Sequence, residues 1–127
     1  GEKAPPPPPY KREEVERKAM EIAMDYEKSC GRMPKDVSMY EHYDIESFNP
    51  RTGEMRYIEV KGVSGLSINV ELTEAEFKTA RRLGQQYWLY VICGLSTGKP
   101  RIICIKDPAN TLSWYEKTIR RYRLGGD

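Results

Sequence analysis

The stretch Met55-Arg56-Tyr57-Ile58-Glu59-Val60-Lys61-Gly62 decides how this chain is read. Side chains on a β-strand alternate between faces, so Tyr57, Glu59 and Lys61 share one face while Ile58 and Val60 occupy the other. Two apolar residues on the second face suit a core, whereas a carboxylate and an ammonium one position apart on the first have no role in one. Just upstream, Asn49-Pro50-Arg51-Thr52-Gly53 is rich in turn formers. His42–Phe48 and Met55–Lys61 therefore read as an antiparallel hairpin. Alternation predicts His42, Asp44 and Glu46 on one face and Tyr43, Ile45 and Ser47 on the other, and the pairing brings Asp44 near Glu59.

Working outward, Val15, Ala19, Ile22, Ala23, Tyr26 and Cys30 recur at three- and four-residue steps, which predicts a first helix over residues 10–30 stopped by Gly31. A short strand is expected near Met33–Ser38. After the hairpin, the alternation of Ile68, Val70 and Leu72 suggests a further strand. Thr73-Glu74-Ala75-Glu76 then reads as a capping box opening a second helix, with Phe77, Ala80 and Leu83 on its buried side. Tyr87–Cys93 is almost continuously apolar, as in a strand covered on both faces, with Arg101–Lys106 as its neighbour. Asp107-Pro108 predicts the start of a last helix docked by Leu112, Tyr115, Ile119 and Tyr122. The succession of strands and helices implies a mixed α/β sheet with helices packed against it.

A chain of 127 residues suits one domain, here residues 10–127, preceded by a proline-rich linker over residues 1–9. Five successive prolines favour an extended, solvated segment that buries nothing, so the chain is read as a terminal module of a longer protein. Its 39% hydrophobic and 31% charged content is that of a soluble globular protein. No apolar run approaches the roughly 20 residues of a membrane helix. Cys30, Cys93 and Cys104 form no close pair, which points to reduced thiols in an intracellular protein, cytoplasmic or, in a eukaryote, nuclear. Net charge is only +2. Nucleic acid could bind only where positive charge is concentrated locally or supplied by a metal or partner.

Asp44, Glu59 and Lys61 carry the chemical expectation. Magnesium prefers six oxygens and keeps several waters, so one or two carboxylates and a substrate phosphate suffice to hold it. Asp44 and Glu59 meet that need, with the Val60 backbone carbonyl as a third protein oxygen. Lys61 would stand beside the ion, orienting water, lowering its pKa or neutralising charge that develops on phosphorus. The same residues also fit the solvated face of an edge hairpin. Glu76 is assigned to the capping box alone and left out of the site, Gln85 and Gln86 to an exposed loop, and His42 to the surface or to packing.

This pattern resembles the PD-(D/E)xK nuclease superfamily, in which a helix, three strands, a helix and a further strand carry an acidic residue followed by an acid-x-lysine tripeptide. The runs Asp36-Val37-Ser38, Tyr43-Asp44-Ile45, Arg56 to Gly62, Leu72-Thr73 and Tyr87-Trp88-Leu89-Tyr90-Val91, then Asp107-Pro108, are similar to the domain of unknown function at the C-terminal end of the plant protein NO VEIN. That similarity spans roughly residues 12 to 112. Related domains lie at the ends of helicase-like and restriction or defence proteins. The resemblance implies a restriction-endonuclease-like mixed sheet of core order αβββαβ, Mg2+ or Mn2+ as cofactor and catalytic Asp44, Glu59 and Lys61. It also implies DNA as substrate, with RNA as the alternative, an attached helicase or ATPase region, and a homodimer of the kind that cuts both strands. An accessory metal-binding glutamate on the first helix is common in the superfamily; Glu16 is the expected position, with Glu13 and Glu27 as alternatives. His42 departs from the glycine that the family tends to carry before its Tyr-Asp pair. Two rivals keep the fold without turnover: a non-catalytic nucleic-acid-binding module and a protein-interaction domain.

Overall fold

The computed structural model describes residues 11–126; Tyr10, Asp127 and the proline-rich linker lie outside the described residues. Helix α1 (Arg12–Ser29) follows the expected period, burying Ala19, Ala23 and Glu27, with Val15, Ile22 and Tyr26 at the margins of the stripe. Acidic Glu13 and Glu14 in its first turn and Lys28 in its last complement the helix dipole. Cys30, expected on the buried stripe, is instead exposed. It is the cap residue, and Gly31 at φ +79° turns the chain away in a conformation that side chains disfavour.

Five strands follow: β1 (Met33–Asp36), β2 (Ile45–Phe48), β3 (Met55–Gly62), β4 (Tyr87–Cys93) and β5 (Arg101–Lys106), with helix α2 (Glu74–Leu83) between β3 and β4 and a single turn, α3 (Pro108–Thr111), after β5. The strands lie in the order β1-β2-β3-β4-β5. Every pairing is antiparallel except β3 with β4. A parallel pair needs a crossover, and the segment carrying α2 supplies it. The expected α/β class and the core order αβββαβ are both present, extended by β5 and α3. Among the described residues, no helix is long and apolar enough to cross a membrane.

The sheet has a core on each face. Ala19 and Ala23 of α1 pack on Ile45, Ile58, Tyr90 and Ile92, whereas Ala80 of α2 packs with Val37, Tyr43 and Tyr87. Gly62 marks the closest approach of α1 to the sheet, since a Cβ there would lie 2.9 Å from both Ala19 Cβ and Val15 Cγ1. Tyr43 and Ile45 thus face opposite cores, contrary to the expected alternation. The strand begins at Ile45 rather than His42, and the bend before it frees Tyr43 to pack edge-on to Tyr57, centroids 5.1 Å apart, and to donate to Glu46 Oε1 at 2.8 Å.

Two further expectations are overturned. Ile68, Val70 and Leu72 form no strand. This segment serves as the connector that leaves the sheet towards α2. The last helix stops at Thr111, because Leu112 is extended at φ −118°, ψ 156°. Trp114 is the docking residue instead: its indole N–H donates to the Pro108 carbonyl at 2.8 Å, and its ring meets Phe77 edge-on at 5.8 Å. Tyr115, Ile119 and Tyr122 remain exposed. Asp107 has a positive φ of 51°, and its carboxylate accepts from the Asn110 side chain rather than from the helix backbone.

One charged group lies inside the α1-side core. Glu27 is fully buried; Arg32 donates to both its oxygens at 2.5 and 2.6 Å, and the Tyr90 hydroxyl donates at 2.8 Å. Arg56 continues the network, donating to the Tyr90 hydroxyl at 2.9 Å while lying 3.7 Å over the Trp88 ring. Burial would raise the Glu27 pKa, but the bonds from Arg32 and Tyr90 outweigh it and hold the carboxyl below its ordinary value. Its stabilising contribution is therefore complete above the unfolded-state pKa and fades as pH falls through the lower folded-state one. Glu27→Gln should cost about 3 kcal/mol at neutral pH, because it leaves the Arg32 guanidinium without its counter-charge. Urea melts of the two proteins should converge as the pH is lowered into the acid range.

Candidate active site

The two ladders on β3 do not coincide. On one edge β2 pairs with Met55–Ile58, and on the other β4 pairs with Tyr57–Gly62. Beyond Ile58 the first edge has no strand beside it, and the Val60 N–H would be left without a ladder partner. Asp44 occupies that gap: its own N–H donates to the Ile58 carbonyl at 2.8 Å, and its Oδ2 accepts from Val60 N at 2.8 Å. A side-chain oxygen thus takes the place of a strand carbonyl and fixes the carboxylate beside Glu59. Val60 contributes its amide to this contact.

Glu59 and Lys61 emerge on the α2 side of β3, as alternation requires. Glu59 is only 4% exposed. The Lys61 ammonium lies 3.7 Å from Glu59 Oε1 and 3.1 Å from Glu76 Oε1. Glu76 is also the third residue of α2 and closes its capping box, where its Oε1 accepts from Thr73 N at 2.9 Å and its own N–H donates to Thr73 Oγ1 at 3.1 Å. The sequence reading explained Glu76 by the cap alone and missed this second role. The one available signal was register: a helix that starts beside the end of β3 must bring its first turn, and so its cap glutamate, close to Lys61.

Three carboxylates here face one ammonium. Burial, followed by the charges of Asp44 and Glu76, pushes Glu59 from an ordinary 4.5 up to about 10, with Lys61 opposing. Asp44 is raised too, first by burial, against the Val60 N–H and a hydrogen bond with Glu59. The Asp44–Glu59 pair therefore holds a proton more tightly than two ordinary carboxyls would. For Glu76, burial is outweighed by the Thr73 N–H and Lys61, and its pKa falls below the ordinary value. The Tyr87 hydroxyl is buried without a hydrogen bond and is pushed up by burial and then by these same charges.

Asp44, Glu59, Lys61 and Glu76 line a cleft of about 940 Å³ whose other walls are the start of α1, residues 62–64 and the connector residues 69–71. Glu16 stands on the wall, with its side chain 67% exposed and an ion pair to Arg12 at 3.4 Å; Glu13 stands there as well. Glu27, the remaining helix candidate, is committed to Arg32 and Tyr90 outside the cleft. Arg12 and Arg17 are the cationic wall residues besides Lys61, whereas Lys78, Arg81 and Arg82 of α2 do not line it. His42, Gln85 and Gln86 are exposed and likewise outside it, and Tyr57 packs in the α2-side core.

A model of the family described as Protein NO VEIN, C-terminal, matches residues 15–105. The chain belongs to that family. The match runs from the first turn of α1 to the end of β5 and contains every cleft carboxylate except Glu13. Comparisons with curated proteins and with solved structures gave no match. Within this NO VEIN C-terminal domain, the donor set suits a hard, oxygen-seeking cation, because its donors are carboxylate oxygens. Among the described residues, no three His, Cys, Asp or Glu side chains are arranged to hold a metal by themselves. An ion here would rest on two carboxylates, with backbone, water and substrate completing its shell, which is the manner of Mg2+.

Between pH 4.5 and about 10, the unfolded chain releases a Glu59 proton that the folded domain keeps, so this residue lowers stability as pH rises. Glu59→Gln should raise stability by roughly 2 kcal/mol at neutral pH. Its advantage should widen from about pH 6 to pH 9 in urea melts performed without divalent ions.

Proposed function

We propose that this domain hydrolyses DNA phosphodiester bonds, with Mg2+ or Mn2+ held by Asp44 and Glu59, as a PD-(D/E)xK-type module of a larger helicase, repair or defence protein. The observation that carries the reading is the Asp44–Glu59 pair at the point where β3 loses one ladder, with Lys61 on the same face of the same strand. When bound, the ion supplies Lewis-acid polarisation of the phosphate and a more acidic water. Glu16 is the proposed accessory ligand, and the Val60 carbonyl an additional oxygen.

The chain's own residues divide the remaining work. Asp44, tied to the Val60 amide, presents its carboxylate from a fixed backbone. Lys61, steadied by Glu76, offers an ammonium to the attacking water or to the charge that gathers on the phosphoryl oxygens. Partial burial of the carboxylates strengthens each of these interactions relative to water. DNA preference, the attached helicase or ATPase region and a homodimer belong to this reading through the superfamily resemblance.

The test is cleavage of labelled single-stranded, duplex and branched DNA with Mg2+ or Mn2+ by the wild type and by Asp44→Ala, Glu59→Ala and Lys61→Ala. Metal-dependent cutting should fall by about 100-fold or more in each variant. DNA binding without cutting, unchanged in all three variants, would replace this reading with a non-catalytic binding module. Neither cutting nor binding would favour a protein-interaction role.

A further inference from the structure

Residues 112–126 leave α3 without forming a helix or strand, and they carry Lys117, Arg120, Arg121 and Arg123 against the single acid Glu116. The whole chain has a formal charge of only +2. The net excess of positive charge therefore lies in this segment, and the rest of the molecule is close to neutral. Two contacts fix where the segment starts. Trp114 is docked on Pro108 and Phe77, and Lys117 forms an ion pair with Glu71, a residue of the cleft wall.

The aromatic residues of the same segment are equally unusual in placement. Tyr115 and Tyr122 are each 90% exposed, so neither ring contributes to a core. With Lys117, Arg120 and Arg121 between them and Arg123 after them, the two rings complete the two kinds of group that an unpaired strand engages. Cations take the phosphates, and ring faces stack on bases, an interaction worth about 1–3 kcal/mol per base. A duplex would leave the rings unused, because its bases are already stacked on one another. The segment also lies beyond the residues matched by the family.

We propose that residues 115–123 form an arm that binds single-stranded nucleic acid at the rim of the cleft. That the arm delivers the strand to Asp44 and Glu59 rests on the nuclease reading above; the binding itself does not.

The experiment is fluorescence anisotropy with a labelled oligothymidylate and a duplex of equal length, in EDTA so that no cutting intervenes. The wild type should bind the single strand more tightly than the duplex. Combining Arg120→Ala, Arg121→Ala and Arg123→Ala should weaken single-strand binding by about tenfold or more and reduce the slope of log affinity against log salt by about 2. Combining Tyr115→Ala with Tyr122→Ala should weaken it by a similar factor while leaving the salt slope unchanged. Equal binding by the wild type and both arm variants, or tighter binding to duplex, would overturn the proposal. So would adsorption to phosphatidylserine vesicles with no affinity for the oligonucleotide. If the wild type binds through the arm but never cuts when Mg2+ is restored, the nuclease reading fails and the arm stands; cutting with unaltered binding in the arm variants gives the reverse.

Discussion

The hydrogen bond from the Val60 amide to the Asp44 carboxylate is the contact on which the arrangement of the site depends. Strand β3 is paired antiparallel on one edge and parallel on the other, and the two ladders are offset along it. Any such offset leaves backbone groups unpaired in a partly buried place. Here an aspartate side chain closes the gap, so that backbone satisfaction and the gathering of carboxylates are achieved by one residue. The site is thus a consequence of how the sheet changes direction, rather than an addition to a finished fold.

A tension between stability and chemistry follows from that economy. Asp44, Glu59 and Glu76 converge on one lysine, and the domain tolerates this by keeping a proton on the Asp44–Glu59 pair. Glu27, at the opposite end of α1, shows the contrasting solution. It is as deeply buried, but two bonds from Arg32 and one from Tyr90 neutralise it. One buried carboxylate is fully matched and holds helix to sheet, whereas the other group is under-matched.

Much of this was legible in the sequence, because it depends on local periodicity. The α1 stripe, the hairpin built around Asn49 to Gly53, the capping box at Thr73 and the apolar run of β4 each have a pattern that burial enforces. Glu59 and Lys61 share a face of β3 as alternation requires, whereas Asp44 lies just before β2 and reaches Val60 from outside the ladder. What escaped depended on tertiary competition. Tyr43 changed face because its backbone bends to deliver Asp44 to Val60. Leu112, Tyr115, Ile119 and Tyr122 have helical spacing, yet Trp114 and Lys117 find partners that the helix would deny them. Glu76 was hidden because one adequate explanation, its cap, concealed a second.

The connector from β3 to α2 gives the cleft an unequal capacity for change. Residues 69–71 form part of its wall but belong to neither ladder, whereas Glu59 and Lys61 are paired with β4 and Asp44 is tied to the Ile58 and Val60 backbone. Substitutions or insertions in that connector would alter what the cleft admits while leaving the strands undisturbed, since exposed connections accept length and sequence variation readily. The wall of the cleft can therefore change shape while its floor stays as it is.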